Sequence, residues 1–121
     1  MILVDTSVWI DHLRAGDDSL AELLNAGRVL MHPFVIGELA LAAMRQRATV
    51  LDALSNLPRA ELATDAEVLG FINSKTLFGR GIGYVDVHLL ASARLTAGTE
   101  LWTEDNRLRS VAEELGLAMA S

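Results

Sequence analysis

The sequence predicts an α/β domain, built as a sandwich of helices around a mainly parallel sheet of four or five strands. Two observations carry that expectation. Short, continuously apolar runs alternate with longer amphipathic segments, as buried strands alternate with helices. The segments between the runs carry their own start and stop signals, and strands joined through helices pair in parallel. At 121 residues the chain holds one domain, spanning 1–121, and is too short for two ordinary ones. It contains no internal repeat, low-complexity tract or linker.

Ile2 to Asp5 reads as the first strand, and Thr6 to Arg14 as a helix closed by Ala15-Gly16. Ser19-Leu20-Ala21-Glu22 has capping-box spacing and opens a helix that ends at Gly27. Arg28 to Met31 is a second short strand. Pro33 suits the first turn of a helix reaching about Arg47, because it gives up only an amide that would be unpaired there. A further helical piece runs to Leu57, where Pro58 stops it. Arg59 to Ala63 is a candidate edge strand. Thr64-Asp65-Ala66-Glu67 is another capping box, starting a helix to about Phe78. Gly79 to Gly83 breaks the pattern, and a helix resumes from about Val85 to Ala97. Glu100 to Thr103 is a strand and Asn106 to Leu115 a helix ended by Gly116. Leu117 to Met119 is the candidate last strand.

Composition narrows the chemistry. Hydrophobic residues make up 51% and charged residues 21%, a globular balance. There is no cysteine, which excludes disulfides, thiolate zinc sites and a cysteine nucleophile. Met1-Ile2-Leu3-Val4 runs straight into Asp5 without the basic start and apolar length of a signal peptide. No apolar run approaches the roughly 18 residues that span a membrane. The expected location is cytoplasmic, with no membrane partner. A net charge of −6 argues against a nucleic-acid partner, since proteins that grip phosphates usually carry basic surface. Bound divalent cations would offset part of that charge. Nine of the ten basic residues are Arg, the better phosphate fork, although a GC-rich genome favours Arg as well.

Asp5, Glu38, Asp86 and Asp105 stand out by position. Asp5 closes an apolar strand, and Asp105 lies two residues beyond Leu101-Trp102-Thr103. Ligand sites in open α/β sheets form outside the carboxyl ends of strands, so these two acids are expected to face one crevice. Helix capping explains each of them singly just as well. Glu38 is harder to explain that way. Its helical neighbours Phe34, Val35, Leu41 and Ala42 are all apolar, and a carboxylate buried alone costs several kcal/mol. Asp86 repeats the pattern among Ile82, Gly83, Leu89 and Leu90, with complementing the helix dipole as the plainer alternative.

These residues resemble VapC-like PIN domains: Asp5-Thr6-Ser7-Val8-Trp9-Ile10 at the start, Glu38 on an apolar helix, Gly81-Ile82-Gly83-Tyr84-Val85-Asp86, and Leu101-Trp102-Thr103-Glu104-Asp105. The resemblance spans nearly the whole chain, with the acids in order. It implies a PIN-like α/β/α sandwich and a nuclease site that binds magnesium or manganese through the four acids. Ser7 and Thr103 match the hydroxyl residues found beside such sites. The resemblance also implies a toxin that cleaves tRNA, rRNA or mRNA and is restrained by a cognate antitoxin.

Physical chemistry agrees with that implication. Magnesium prefers oxygen ligands, keeps several waters and is held by one or two carboxylates plus substrate phosphate. Asp5 and Asp86 are the expected direct ligands, Glu38 and Asp105 direct or water-mediated ones, and Ser7 and Thr103 would orient them. His12, His32 and His88 lack metal-binding spacing; His12 and His32 are read as surface or loop, His88 as structural. Gly79 to Gly83 lacks the lysine of a phosphate-cradling loop, leaving Arg80 as a candidate backbone contact. Trp9, Ile10 and Leu13 read as core. The abundance of leucine and alanine leads to the expectation of a homodimer. Two other readings are a catalytically inactive PIN-like binding domain and an acidic phosphoacceptor receiver; the latter needs a late lysine, and the only lysine is Lys75.

Overall fold

Ile2, Leu3 and Val4 are all buried, as the central strand of a sheet covered on both faces must be. In the computed structural model, which describes residues 1–120, they form β1 (Ile2–Val4). Nine elements follow: α1 (Thr6–Ala15), α2 (Asp18–Asn25), β2 (Val29–Leu30), α3 (Pro33–Ala40), α4 (Arg47–Ser55), α5 (Asp65–Lys75), α6 (Tyr84–Leu95), β3 (Glu100–Trp102) and α7 (Asn106–Glu114). The sheet order is β2-β1-β3, all parallel, with Ile2 opposite Val29 and Glu100, Leu3 opposite Leu30 and Leu101, and Val4 opposite Trp102. No helix among the described residues is long and apolar enough to cross a membrane.

The sheet therefore has three strands where the sequence led us to expect four or five. The two expected edge strands are present only as single parallel bridges, Met31 to Arg59 and Leu101 to Ala118. At one edge the Met31 and Ala60 amides donate to Pro58 and Met31 carbonyls (2.8 and 3.1 Å), and then the chain leaves for α5. Proline supplies no amide, so the ladder stops early there.

Two helix boundaries also differ from expectation. α3 ends at Ala40, and the segment 41–46 turns away before α4 begins. Nothing in the propensity of Leu41-Ala42-Ala43-Met44 requires that break. What holds it is a side chain: Arg47 Nε and Nη2 both donate to the Ala40 carbonyl, at 3.0 and 2.7 Å, satisfying a helix-end acceptor. Gln46 takes a left-handed conformation (φ 52°) to make the turn. Upstream, α2 is capped by Asp17 and not Ser19: Asp17 Oδ1 accepts from the Leu20 amide at 2.9 Å, which brings the fully buried Leu20 into the core. The Thr64–Glu67 capping box forms in both directions, although its helix stops at Lys75, where Thr76 turns left-handed (φ 53°).

His32 is not a surface residue. It is buried and precedes α3, where its Nδ1 accepts from the Phe34 amide at 3.0 Å. Burial, with His88 and Arg59 nearby, pushes its pKa down to about 4, so the ring stays neutral and able to accept. His88 is buried as a structural ring, edge-on to Phe34 and Tyr84. Trp9 is core; Ile10 and Leu13 are half-buried against it.

Leu3 has no exposed surface and sits in the middle strand. Leu3→Ala is expected to cost about 3 kcal/mol, through lost burial plus the cavity left behind. Urea unfolding followed by tryptophan fluorescence measures it; a midpoint equal to wild type would contradict this account of the core.

Candidate active site

The parallel register brings the first pair of site residues together. Val4 lies opposite Trp102, so the next residues along, Asp5 and Thr103, emerge side by side at the carboxyl end of the sheet. The Asp5 amide donates to the Trp102 carbonyl at 2.8 Å, and Thr103 Oγ1 donates to Asp5 Oδ2 at 2.7 Å. Ser7 Oγ donates to the same oxygen at 3.0 Å, while Oδ1 accepts from the Thr6 amide at 2.8 Å. Asp5 is thus buried, hydrogen-bonded at both oxygens with one bond on Oδ1 and two on Oδ2, and the N-cap of α1. Both hydroxyls also tie down the loop after β3: Ser7 Oγ accepts from the Glu104 amide (3.2 Å) and Thr103 Oγ1 from the Asp105 amide (3.1 Å).

The other three acids arrive on separate helices. Glu38 lies on α3, and its Oε1 accepts from Thr6 Oγ1 at 2.6 Å. Asp86 lies in the first turn of α6, and its Oδ2 accepts from the Gly83 amide at 2.9 Å. Asp105 caps α7, with Oδ1 accepting from the Arg107 and Leu108 amides at 2.9 and 3.1 Å. Each of these three therefore has one oxygen held by the protein. Their second oxygens (Glu38 Oε2, Asp86 Oδ1, Asp105 Oδ2) make no hydrogen bond among the described residues. Among the described residues no Lys or Arg comes within ion-pairing distance of any of the four acids; Arg80 pairs with Glu114 instead, and His88 Nε2 lies 3.4 Å from Asp65.

The family of models that describes the PIN domain matches residues 2–114. The chain belongs to the PIN domain family. Two relatives, each named Ribonuclease VapC32 and found in two strains of Mycobacterium tuberculosis, are 51% identical to it over 120 residues, which is 99% of this chain and 97% of theirs. The matched span runs from β1 to the end of α7 and contains all four acids.

Within this PIN domain the acids feel one another. The Asp86 carboxyl is held above the usual range, first by burial and then by the charges of Asp5, Asp105 and Glu38, with only the Gly83 amide pulling the other way. Asp86 is half-buried, which is why its neighbours' charges are poorly screened. Repulsion reaches further than ligation, however. Among the described residues no three acidic or histidine side chains close on a common point tightly enough to hold an ion alone.

Sequence reasoning missed two members of this constellation. Thr6 joins α1 to Glu38 on α3, and the Gly83 amide fixes Asp86. A hydroxyl in the first turn after Asp5 was a visible signal for Thr6; no sequence signal marked a glycine amide. Arg80 proved to be engaged elsewhere, in a two-pronged pair with Glu114 on α7 (both 2.9 Å).

The Asp86 shift fixes the sign of a pH effect in metal-free protein. A carboxyl whose folded pKa is raised contributes stability that is fully present below its unfolded pKa, near 4. That contribution is lost as pH climbs through the raised folded value. Asp86→Asn, whose amide oxygen can still accept from Gly83, is therefore expected to melt higher than wild type at pH 7 in EDTA. The two should converge near pH 4. Melts across that range test it; equal stability at pH 7 would remove the repulsion.

Proposed function

We propose that the protein is a divalent-metal-dependent endoribonuclease, the toxin of a toxin–antitoxin pair, which hydrolyses RNA phosphodiester bonds at Asp5, Glu38, Asp86 and Asp105. The observation behind this reading is the pinned-and-free pattern: Asp86 feels the charges of the other three acids, none of the four has a cationic partner among the described residues, and three of them keep one oxygen unengaged. Ribonucleases of the PIN family generally depend on divalent metals, and the relatives' name matches the activity. A receiver domain is set aside by the PIN match. An inactive binding domain is disfavoured because each acid is still held in place by a donor.

The residues fit a hard cation. Every candidate ligand atom is a carboxylate oxygen, the donor magnesium and manganese prefer and zinc does not. Asp5 and Asp86 are the proposed direct ligands, with Glu38 and Asp105 binding directly or through water. When bound, the ion would supply an acidified water and positive charge for the phosphate. The chain's own contribution is orientation. Ser7 and Thr103 fix the Asp5 carboxylate, Thr6 fixes Glu38, and the α7 and Gly83 amides fix Asp105 and Asp86. Such supporting bonds hold ligands in place, and by stabilising the charged carboxylates they keep them ready to bind a cation.

The proposed substrate is tRNA, rRNA or mRNA, and the proposed regulator a cognate antitoxin. For the antitoxin, a cleft of about 400 Å³ lined by Ile10, Leu13, Leu39, Met44 and Val50, with Arg14 and Arg45 among its walls, offers burial for an apolar segment. A homodimer is proposed on the strength of exposed Leu62, Leu69, Phe78 and Leu95.

RNA cleavage is expected with magnesium or manganese, poorly with zinc, and not in excess EDTA. Thr103→Val, nearly isosteric, is expected to weaken magnesium activation about 10- to 100-fold by releasing Asp5. Titrating activity against magnesium for both proteins checks this; undiminished cleavage in EDTA would defeat the metal reading.

A further inference from the structure

A cluster of four carboxylates repels RNA as well as binding metal, so the rim must supply positive charge for the strand. Several of the described arginines are already occupied. Arg80 is paired with Glu114. Arg109 Nη2 donates to the Thr103 carbonyl at 2.9 Å. Arg47 is turned to Ala40, and Arg94 lies over the Phe71 ring.

Among the exposed arginines left without a side-chain partner, Arg107 stands out by its place beside Asp105. It is exposed, in the first turn of α7, two residues past Asp105, and its backbone amide is one of the two that pin Asp105 Oδ1. Its side chain makes no hydrogen bond or ion pair among the described residues. The side chain packs close against Gly81 instead: a methyl group on Gly81 would stand 2.8 Å from Nη1 and 2.9 Å from Cδ. Gly81 (φ +78°) is two residues before Gly83, whose amide holds Asp86. The fork therefore bridges the rim between the helix that carries Asp105 and the loop that leads to Asp86. It is placed there by glycine's missing side chain, with its donors uncommitted.

We infer that Arg107 binds a backbone phosphate of the RNA beside the carboxylate cluster, the role that sequence reasoning had offered to Arg80. This rests on the ribonuclease reading and adds the residue that brings a polyanion to an acidic site. A guanidinium with free donors is the natural fork for phosphate oxygens. A backbone contact grips without reading sequence, so losing it should weaken all substrates alike.

The test compares wild type, Arg107→Ala, Arg107→Lys and Arg80→Ala in steady-state cleavage of a single-stranded RNA with saturating magnesium over a salt series. Arg107 is exposed and its capping amide survives substitution, so the variants should fold; circular dichroism melts verify that. For Arg107→Ala, KM is expected to rise roughly tenfold to a hundredfold, as for a hydrogen bond to a charged group. The dependence of log kcat/KM on log salt should become shallower by about 0.7, one phosphate contact on a single strand. Arg107→Lys should restore the salt slope but only part of the KM, and Arg80→Ala should match wild type in both. An unchanged slope in Arg107→Ala overturns the inference, including where only the magnesium requirement shifts. So does an equal loss in Arg80→Ala. If wild type cleaves and Arg107→Ala is indistinguishable from it, the inference alone falls; if wild type cleaves no RNA with either metal, the ribonuclease reading falls and takes it along.

Discussion

The hydrogen bond from Thr103 Oγ1 to Asp5 Oδ2 is the contact on which the site depends. It forms because β1 and β3 pair in parallel with Val4 opposite Trp102. A slip of one residue would send Asp5 and Thr103 to opposite faces of the sheet. That register is itself secured by burial, since Ile2, Leu3, Val4 and Leu101 have almost no exposed surface. From this fixed corner Ser7 and Thr103 reach the loop after β3, and Thr6 reaches α3. The apolar packing of the core thus sets the placement of polar groups many residues apart in sequence.

Capping and function, which look like alternatives for these acids, are compatible. Asp5 and Asp105 are both helix caps, and Asp86 reaches back to a preceding amide in the same manner. For Glu38, Asp86 and Asp105 the structural bond consumes one oxygen and sets the direction of the other. Bonds made in capping the helices, with the Thr6 hydroxyl for Glu38, thus supply the orientation that the proposed metal ligation calls for. The cost is visible at Asp86, whose carboxyl is pushed toward the neutral form by burial and three neighbouring charges.

Much of this was legible in the sequence, and the failures have physical causes. The buried strands, the Thr64–Glu67 box and the order of strands and helices follow from local pattern. All four acids were visible because an acid among apolar neighbours, or at the end of an apolar run, needs explaining. Strand count was overestimated because edge pairing depends on where the chain turns, which Pro58 and its surroundings decide. The break after Ala40 was invisible because Arg47, seven residues later, holds it. His32 lies in a loop as read, but its burial was missed because nothing in the sequence marked it as a buried neutral cap. Arg80 and Arg107 could not be ranked without knowing which had found a carboxylate.

The single-bridge edges carry a further consequence. Beyond Met31 on one side and Leu101 on the other, the sheet offers only one bridging residue before the chain departs. An extended peptide has no ladder of vacant amides and carbonyls along which to zip, the usual route to fibrils and to strand exchange. A small acidic chain that is half hydrophobic can thereby resist indiscriminate cross-β growth.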